Sequence, residues 1–218
     1  MRSVRSRRVW CAVGMVATFG VGAAGCGEEE PPDHVGAAQV CEGLFAGPLE
    51  RTVETVTDAT SFSWSSSKGM QRVVDGLKAG YESGHRWAPG GRLCELSPKG
   101  GGMMSDAKIN FDMYPPQDVN DKYVSGRHYY TMGKRSEAAP AGASLYFECV
   151  SPQFKGSKEH PMRIYGNFTH GKATAQNTLE HFAENMTIIH AASLAVAKKL
   201  QCENNGGLPE KAVLTPRS

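Results

Sequence analysis

Lys108-Ile109-Asn110-Phe111-Asp112-Met113 alternates polar and apolar side chains without a break, Ile109, Phe111 and Met113 on one side and Lys108, Asn110 and Asp112 on the other. A period of two reads as a strand of an antiparallel sheet with one face buried and one face wet. Pro115-Pro116 ends the strand, because proline supplies no ladder donor. The same alternation returns downstream, where Leu145, Phe147 and Cys149 interleave with Tyr146 and Glu148, and again at Met162, Ile164 and Phe168. Polar residues 151–161 separate these two runs, which predicts a hairpin with a long loop. Upstream, Gly90-Gly91 turn the chain into a further strand, Arg92-Leu93-Cys94-Glu95-Leu96. Residues 117–143 carry the weakest pattern. Tyr129 and Tyr130 there suggest a strand ahead of an Ala- and Pro-rich loop at 138–141.

Three segments switch to the helical period. Pro48 suits a first helical turn, and Leu49, Val53 and Val56 follow at helical spacing until about Thr60. A Ser-rich linker with Trp64, residues 61–67, precedes Met70, Val73, Val74, Leu77 and Tyr81, which share one side of a second helix ended by Gly84. Leu179, Phe182, Met186, Ile189, Val196 and Leu200, with Ser193 at the missing step, predict a long helix within 174–201. Asn204-Asn205-Gly206-Gly207 supplies its left-handed exit. The fold expected is α+β: an antiparallel sheet of about four or five strands, packed by two N-terminal helices and one long C-terminal helix. One domain should span 41–210, with a tail at 211–218.

The first 26 residues have a different physics. Arg2, Arg5, Arg7 and Arg8 precede an apolar run at 9–24, and Ala23-Ala24-Gly25-Cys26 closes it. A cationic start, a short apolar core and small residues before a cleavage point are the marks of an export signal. The run is too short and too rich in Gly and Ala for a spanning helix, and Glu28, Glu29, Glu30 and Pro31-Pro32 stop it. Small residues before a cysteine resemble the bacterial lipobox, which places diacylation on Cys26; Ala23 stands where lipoboxes usually carry Leu. Ser6-Arg7-Arg8-Val9-Trp10 partly resembles the twin-arginine export signal. The expectation is a signal peptide at 1–25 and a lipidated Cys26 with a flexible tether at 26–40. Such a protein sits on the extracytoplasmic face of the cell membrane, held by acyl chains.

Export fixes the reading of charge and cysteine. The chain has 24 Lys and Arg against 22 Asp and Glu, and four of the arginines lie in the leader. The mature chain is therefore slightly acidic, with no basic run interleaved with aromatics, so nucleic acid is not an expected partner. Of six cysteines, Cys11 leaves with the leader and Cys26 takes the lipid. Cys41, Cys94, Cys149 and Cys202 remain, an even number that suggests two disulfides in an exported chain. Three pairings are open. The favoured one joins Cys41 to Cys94 and Cys149 to Cys202, each loop contributing on the order of 4 kcal/mol in the chain-entropy model. None of the four forms a close Cys-x-x-Cys pair, so no metal is expected.

Several stretches together resemble a family of uncharacterised actinobacterial lipoproteins. They are the lipobox, Val40-Cys41-Glu42-Gly43-Leu44, Leu145-Tyr146-Phe147-Glu148-Cys149 with Ser151-Pro152, and the helix over 187–200 followed by Cys202 and Leu208-Pro209. The cysteine placement is similar, more loosely, to four-cysteine envelope lipoproteins of unknown function from mycobacteria and their relatives. That resemblance implies an α/β sandwich with an antiparallel sheet and brings no catalytic residue.

No nucleophile elbow, Ser-x-x-Lys pair, phosphate loop or dinucleotide fingerprint stands in a supporting context. His34 falls in the tether; His85, His128, His160 and His170 sit singly in turns or loops. His181 and His190, nine residues apart, lie on opposite sides of the last helix. Glu180 and Glu184 read as a solvated helix face. Trp87, His128, Tyr129 and Tyr130 read either as cover for the sheet edge or as a contact surface, since aromatics in polar loops are enriched at binding sites. No cofactor is expected. The function expected is a non-enzymatic binding or interaction domain for an envelope protein or ligand; the alternative is a small envelope hydrolase with dispersed catalytic residues.

Overall fold

A computed structural model of the chain describes residues 33–64, 68–102, 104–119, 122–171 and 177–217. The leader at 1–25, Cys26 and the first part of the tether lie outside the described residues.

The elements follow the patterns closely where those were strong. α1 is Pro48–Thr57, β1 Phe62–Trp64, α2 Gly69–Glu82, β2 Ala88–Pro98 and β3 Ala107–Met113. Then come β4 His128–Tyr130, β5 Arg135–Ala139, β6 Gly142–Cys149, β7 Met162–His170 and α3 Leu179–Lys199. Among the described residues the strands form one sheet of seven, in the order β1-β2-β3-β7-β6-β5-β4. Every neighbouring pair is antiparallel. Seven strands correct the expected four or five. The two additional ones are β1, placed where a Ser-rich linker was read, and β5, which overlaps the expected Ala- and Pro-rich loop. β1 has three residues and β5 carries Arg135, Ser136 and Glu137, so neither shows apolar alternation.

The helices cover one face. α2 packs on β2 and β3, α3 on β5, β6 and β7, and α1 on the outer side of α3. Ile109, Phe111, Leu145, Phe147, Ile164 and Phe168 point into this layer and are essentially inaccessible. Burying a large apolar side chain contributes about 1.5–3 kcal/mol. α2 approaches β2 unusually closely. A Cβ on Gly76 would stand 2.1 Å from the Gly90 carbonyl oxygen, and one on Gly80 2.6 Å from Ala88 Cβ. Two poor helix formers one turn apart thus let a helix and a strand touch through their backbones.

Caps and staples close the frame. The α2 N-terminus has no cap from its own flank; instead Glu42 Oε1 accepts from the Met70 N–H at 3.2 Å. Thr178 caps α3 by accepting from His181 N at 3.2 Å. Cys41 is joined to Cys94 and Cys149 to Cys202, each bridge spanning 53 residues. Both ends of the domain reach further than expected. Val35 pairs with Phe62 and Ala37 and Val40 are fully buried, so order begins before Cys41. At the far end Pro216 bridges Tyr130, and Arg217 N donates to Tyr129 O at 2.9 Å. The expected tail therefore covers the free edge of β4.

Candidate functional site

Register brings together residues that are remote in sequence. Ala88 lies opposite Met113, and Met113 opposite Ile164. The start of β2, the end of β3 and the start of β7 therefore meet at one end of the sheet. The α2 exit and the β6–β7 loop add their side chains there, forming a cavity of about 400 Å³. His85, Arg86, Lys155, His160 and Arg163 line it together with Tyr81 and Tyr114, and no carboxylate does.

Each wall is fixed by bonds that can be named. Tyr81 Oη donates to the His160 carbonyl at 2.9 Å, and its ring packs on Phe154 with centroids 5.3 Å apart. The loop behind Phe154 is tied internally: Ser151 N donates to Ser157 Oγ at 3.0 Å, Ser157 Oγ to Ser151 O at 2.8 Å, and Ser151 Oγ to Leu200 O at 2.7 Å. Lys155 and His160 therefore project from a loop held to both α2 and the end of α3. Tyr114 N donates to Arg163 O at 3.2 Å, and the Tyr114 ring stands edge-on to Tyr146 at 5.1 Å.

The electrostatics favour an anion. Arg163 Nε is 3.5 Å from Glu148, a carboxylate that Lys134 also engages at 2.8 Å. Arg86 and Lys155 have no carboxylate partner among the described residues. Burial, and after it the charge of Glu148, pushes the Tyr114 phenol well above its ordinary range, so it stays a hydrogen-bond donor. Tyr81 is raised in the same direction, by burial and then by Glu159. Two cations without a carboxylate partner among the described residues, a third held only loosely, two imidazoles and a protonated phenol at a cavity wall suit a phosphate or carboxylate group.

The four residues expected to share a contact surface do not come together. Trp87, 60% exposed, follows Arg86 at the cationic pocket. His128, Tyr129 and Tyr130 form β4 at the opposite edge of the sheet. Tyr129 and Tyr130 are buried. The Tyr129 hydroxyl accepts from Val124 N at 2.8 Å and from Arg135 Nη2 at 3.2 Å, and burial lifts the Tyr130 phenol to about 12. His128 stacks on Phe182, 6.1 Å between centroids. These three form the edge strand itself.

The histidines are redistributed as well. His85 and His160, read as isolated loop residues, line one pocket. His170 is not in a loop but ends β7, buried, its ring 5.4 Å from that of His181. His181 and His190 serve different neighbours, bonding the carbonyls of Pro140 and Pro209, each at 2.9 Å. No group of three or more His, Cys, Asp or Glu side chains arranged to hold a metal ion occurs among the described residues. Nor is any described helix long and apolar enough to cross a membrane. The cationic pocket escaped the sequence reading because its residues come from three segments that only tertiary structure joins, through the β2–β3 and β3–β7 pairings and the Tyr81–His160 bond. Compared with protein-family models, with curated proteins and with solved structures, this chain matches none.

Proposed function

We propose that this chain is a lipid-anchored binding domain of the cell envelope, carried on the outer face of the cytoplasmic membrane by acyl groups on Cys26, and that its pocket takes a small phosphate- or carboxylate-bearing ligand. The leader and the four cysteines support the location. The observation that carries the ligand class is the pocket whose lining holds Arg86, Lys155 and Arg163 and no acid. Concave sites with a few convergent polar groups are where proteins hold small ligands, and cations gathered there gain more from an anion than they would on a flat surface.

Two measurements test the reading. Cys26→Ser should move the protein from the membrane fraction to the medium; unchanged membrane retention overturns the anchor. Calorimetric titration with pyrophosphate and with citrate should show saturable binding by at least one of them. That binding should weaken at least about tenfold in Arg86→Ala/Lys155→Ala and fall with added salt as Coulombic attraction is screened. Equal affinity in the double variant overturns the site. Turnover of peptidoglycan, ester or peptide substrates by the purified protein would favour the hydrolase alternative.

A further inference from the structure

On the side of α3 turned away from the sheet lies a second cavity of about 550 Å³, quite unlike the first. Leu44, Leu49, Ala191, Leu194, Ala195 and Ala212 make it apolar, with Pro48 beside them. The two polar side chains along its wall are already engaged: Thr187 Oγ1 donates to Ala183 O at 2.7 Å, and the His190 ring bonds Pro209 O at 2.9 Å. Three charged side chains also line it. Lys198 is paired there with Glu210 at 2.6 Å, whereas Lys211 has no carboxylate partner among the described residues. The groove is thus an apolar slot whose lining includes Lys211, a cation with no carboxylate partner among the described residues. That combination complements an amphiphile with a hydrocarbon tail and an anionic head.

The path of the chain says which amphiphile is at hand. Gly36 lies against the first turn of α1, where a Cβ on it would be 3.8 Å from Glu50 Oε1, one residue from Leu49 of the groove wall. Ten residues separate Gly36 from Cys26, a reach of at most about 35 Å. An anchor at Cys26, as proposed above, holds Gly36, beside the α1 wall of this groove, within that distance of the bilayer. We propose that the groove binds one acyl chain of an anionic phospholipid, with the headgroup phosphate at Lys211. The location at the bilayer rests on the anchoring reading, whereas the groove's chemistry does not.

The full chain carrying Cys26→Ser has no acyl groups of its own and separates the two. Incubated with phosphatidylglycerol vesicles, recovered free of them and examined by native mass spectrometry, it should carry one phospholipid per protein. Ala195→Trp and Ala191→Trp, each filling the slot from the α3 side, should abolish the complex without moving the thermal midpoint. Lys211→Glu should reduce phosphatidylglycerol occupancy at least about tenfold while leaving the slot open. Arg86→Ala/Lys155→Ala should leave occupancy unchanged, since that pocket is elsewhere. No complex, a complex that survives both tryptophan variants, or occupancy by phosphatidylcholine or palmitate equal to that by phosphatidylglycerol would overturn the proposal.

Discussion

His190 shows how a single buried residue records its surroundings. Burial holds its imidazole below the ordinary range for histidine, outweighing the Pro209 carbonyl and the Glu210 charge, which act the other way. The unfolded chain therefore takes up a proton near pH 6.5 where the native one does not. Stability should be full above that pH and decline as pH falls through it toward the native value, because the unfolded state then binds more protons. Denaturant melts between pH 8 and pH 5 should show this loss, and His190→Gln, which can still donate to Pro209 O, should flatten the part due to this residue. Tyr81 makes a different case. Tyr81→Phe removes the bond to His160 O while keeping the ring on Phe154. It should cost about 1 kcal/mol in a denaturant melt and weaken anion binding by loosening the loop that carries Lys155. An unchanged affinity would separate the loop from the site.

At the scale of elements, the α2–β2 contact makes the sharpest demand. Gly76→Ala puts a methyl group on the Gly90 carbonyl, and backbone cannot step aside as a flexible side chain can. A loss of about 3 kcal/mol or more is expected in equilibrium unfolding, against the small gain that Ala brings to an exposed helix position. The same elements show what a sequence reveals. α2, β3 and the β6–β7 hairpin were legible because each has one more buried and one more open face, so burial writes a period into the residues; α3, covered on most of its length, was legible from its sustained apolar repeat. β5 was not, because Arg135 and Glu137 on its outer side are buried too, bonded to each other at 2.8 Å, with Arg135 also reaching Lys122 O at 3.0 Å. β2 runs through Gly90 and Gly91, which read as a turn; a register shift between Pro89 and Gly91 keeps the strand in the sheet. The cationic pocket was illegible for a third reason. Its cations belong to no motif, and only the pairing of β2 with β3 and of β3 with β7 collects them.

For the whole molecule, the two disulfides divide the work. Cys41–Cys94 ties the entrance of the domain to β2, and Cys149–Cys202 ties β6 to the exit of α3. Removing either pair by Cys→Ala should lower stability on the order of 4 kcal/mol. Only loss of Cys149–Cys202, next to the Ser151–Leu200 bond that steadies the β6–β7 loop, should also impair anion binding. The disulfide-tied frame thus carries a pocket at one end of the sheet and an apolar groove behind α3. The most direct measurement is a nitrogen-15 NMR titration of the protein with pyrophosphate and with citrate. Saturable shifts for at least one of them, confined to amides of 84–87, 113–114 and 155–163 and absent in Arg86→Ala/Lys155→Ala, are the predicted result. No saturable shifts, or shifts centred on another surface, would contradict the assignment of this pocket as the binding site.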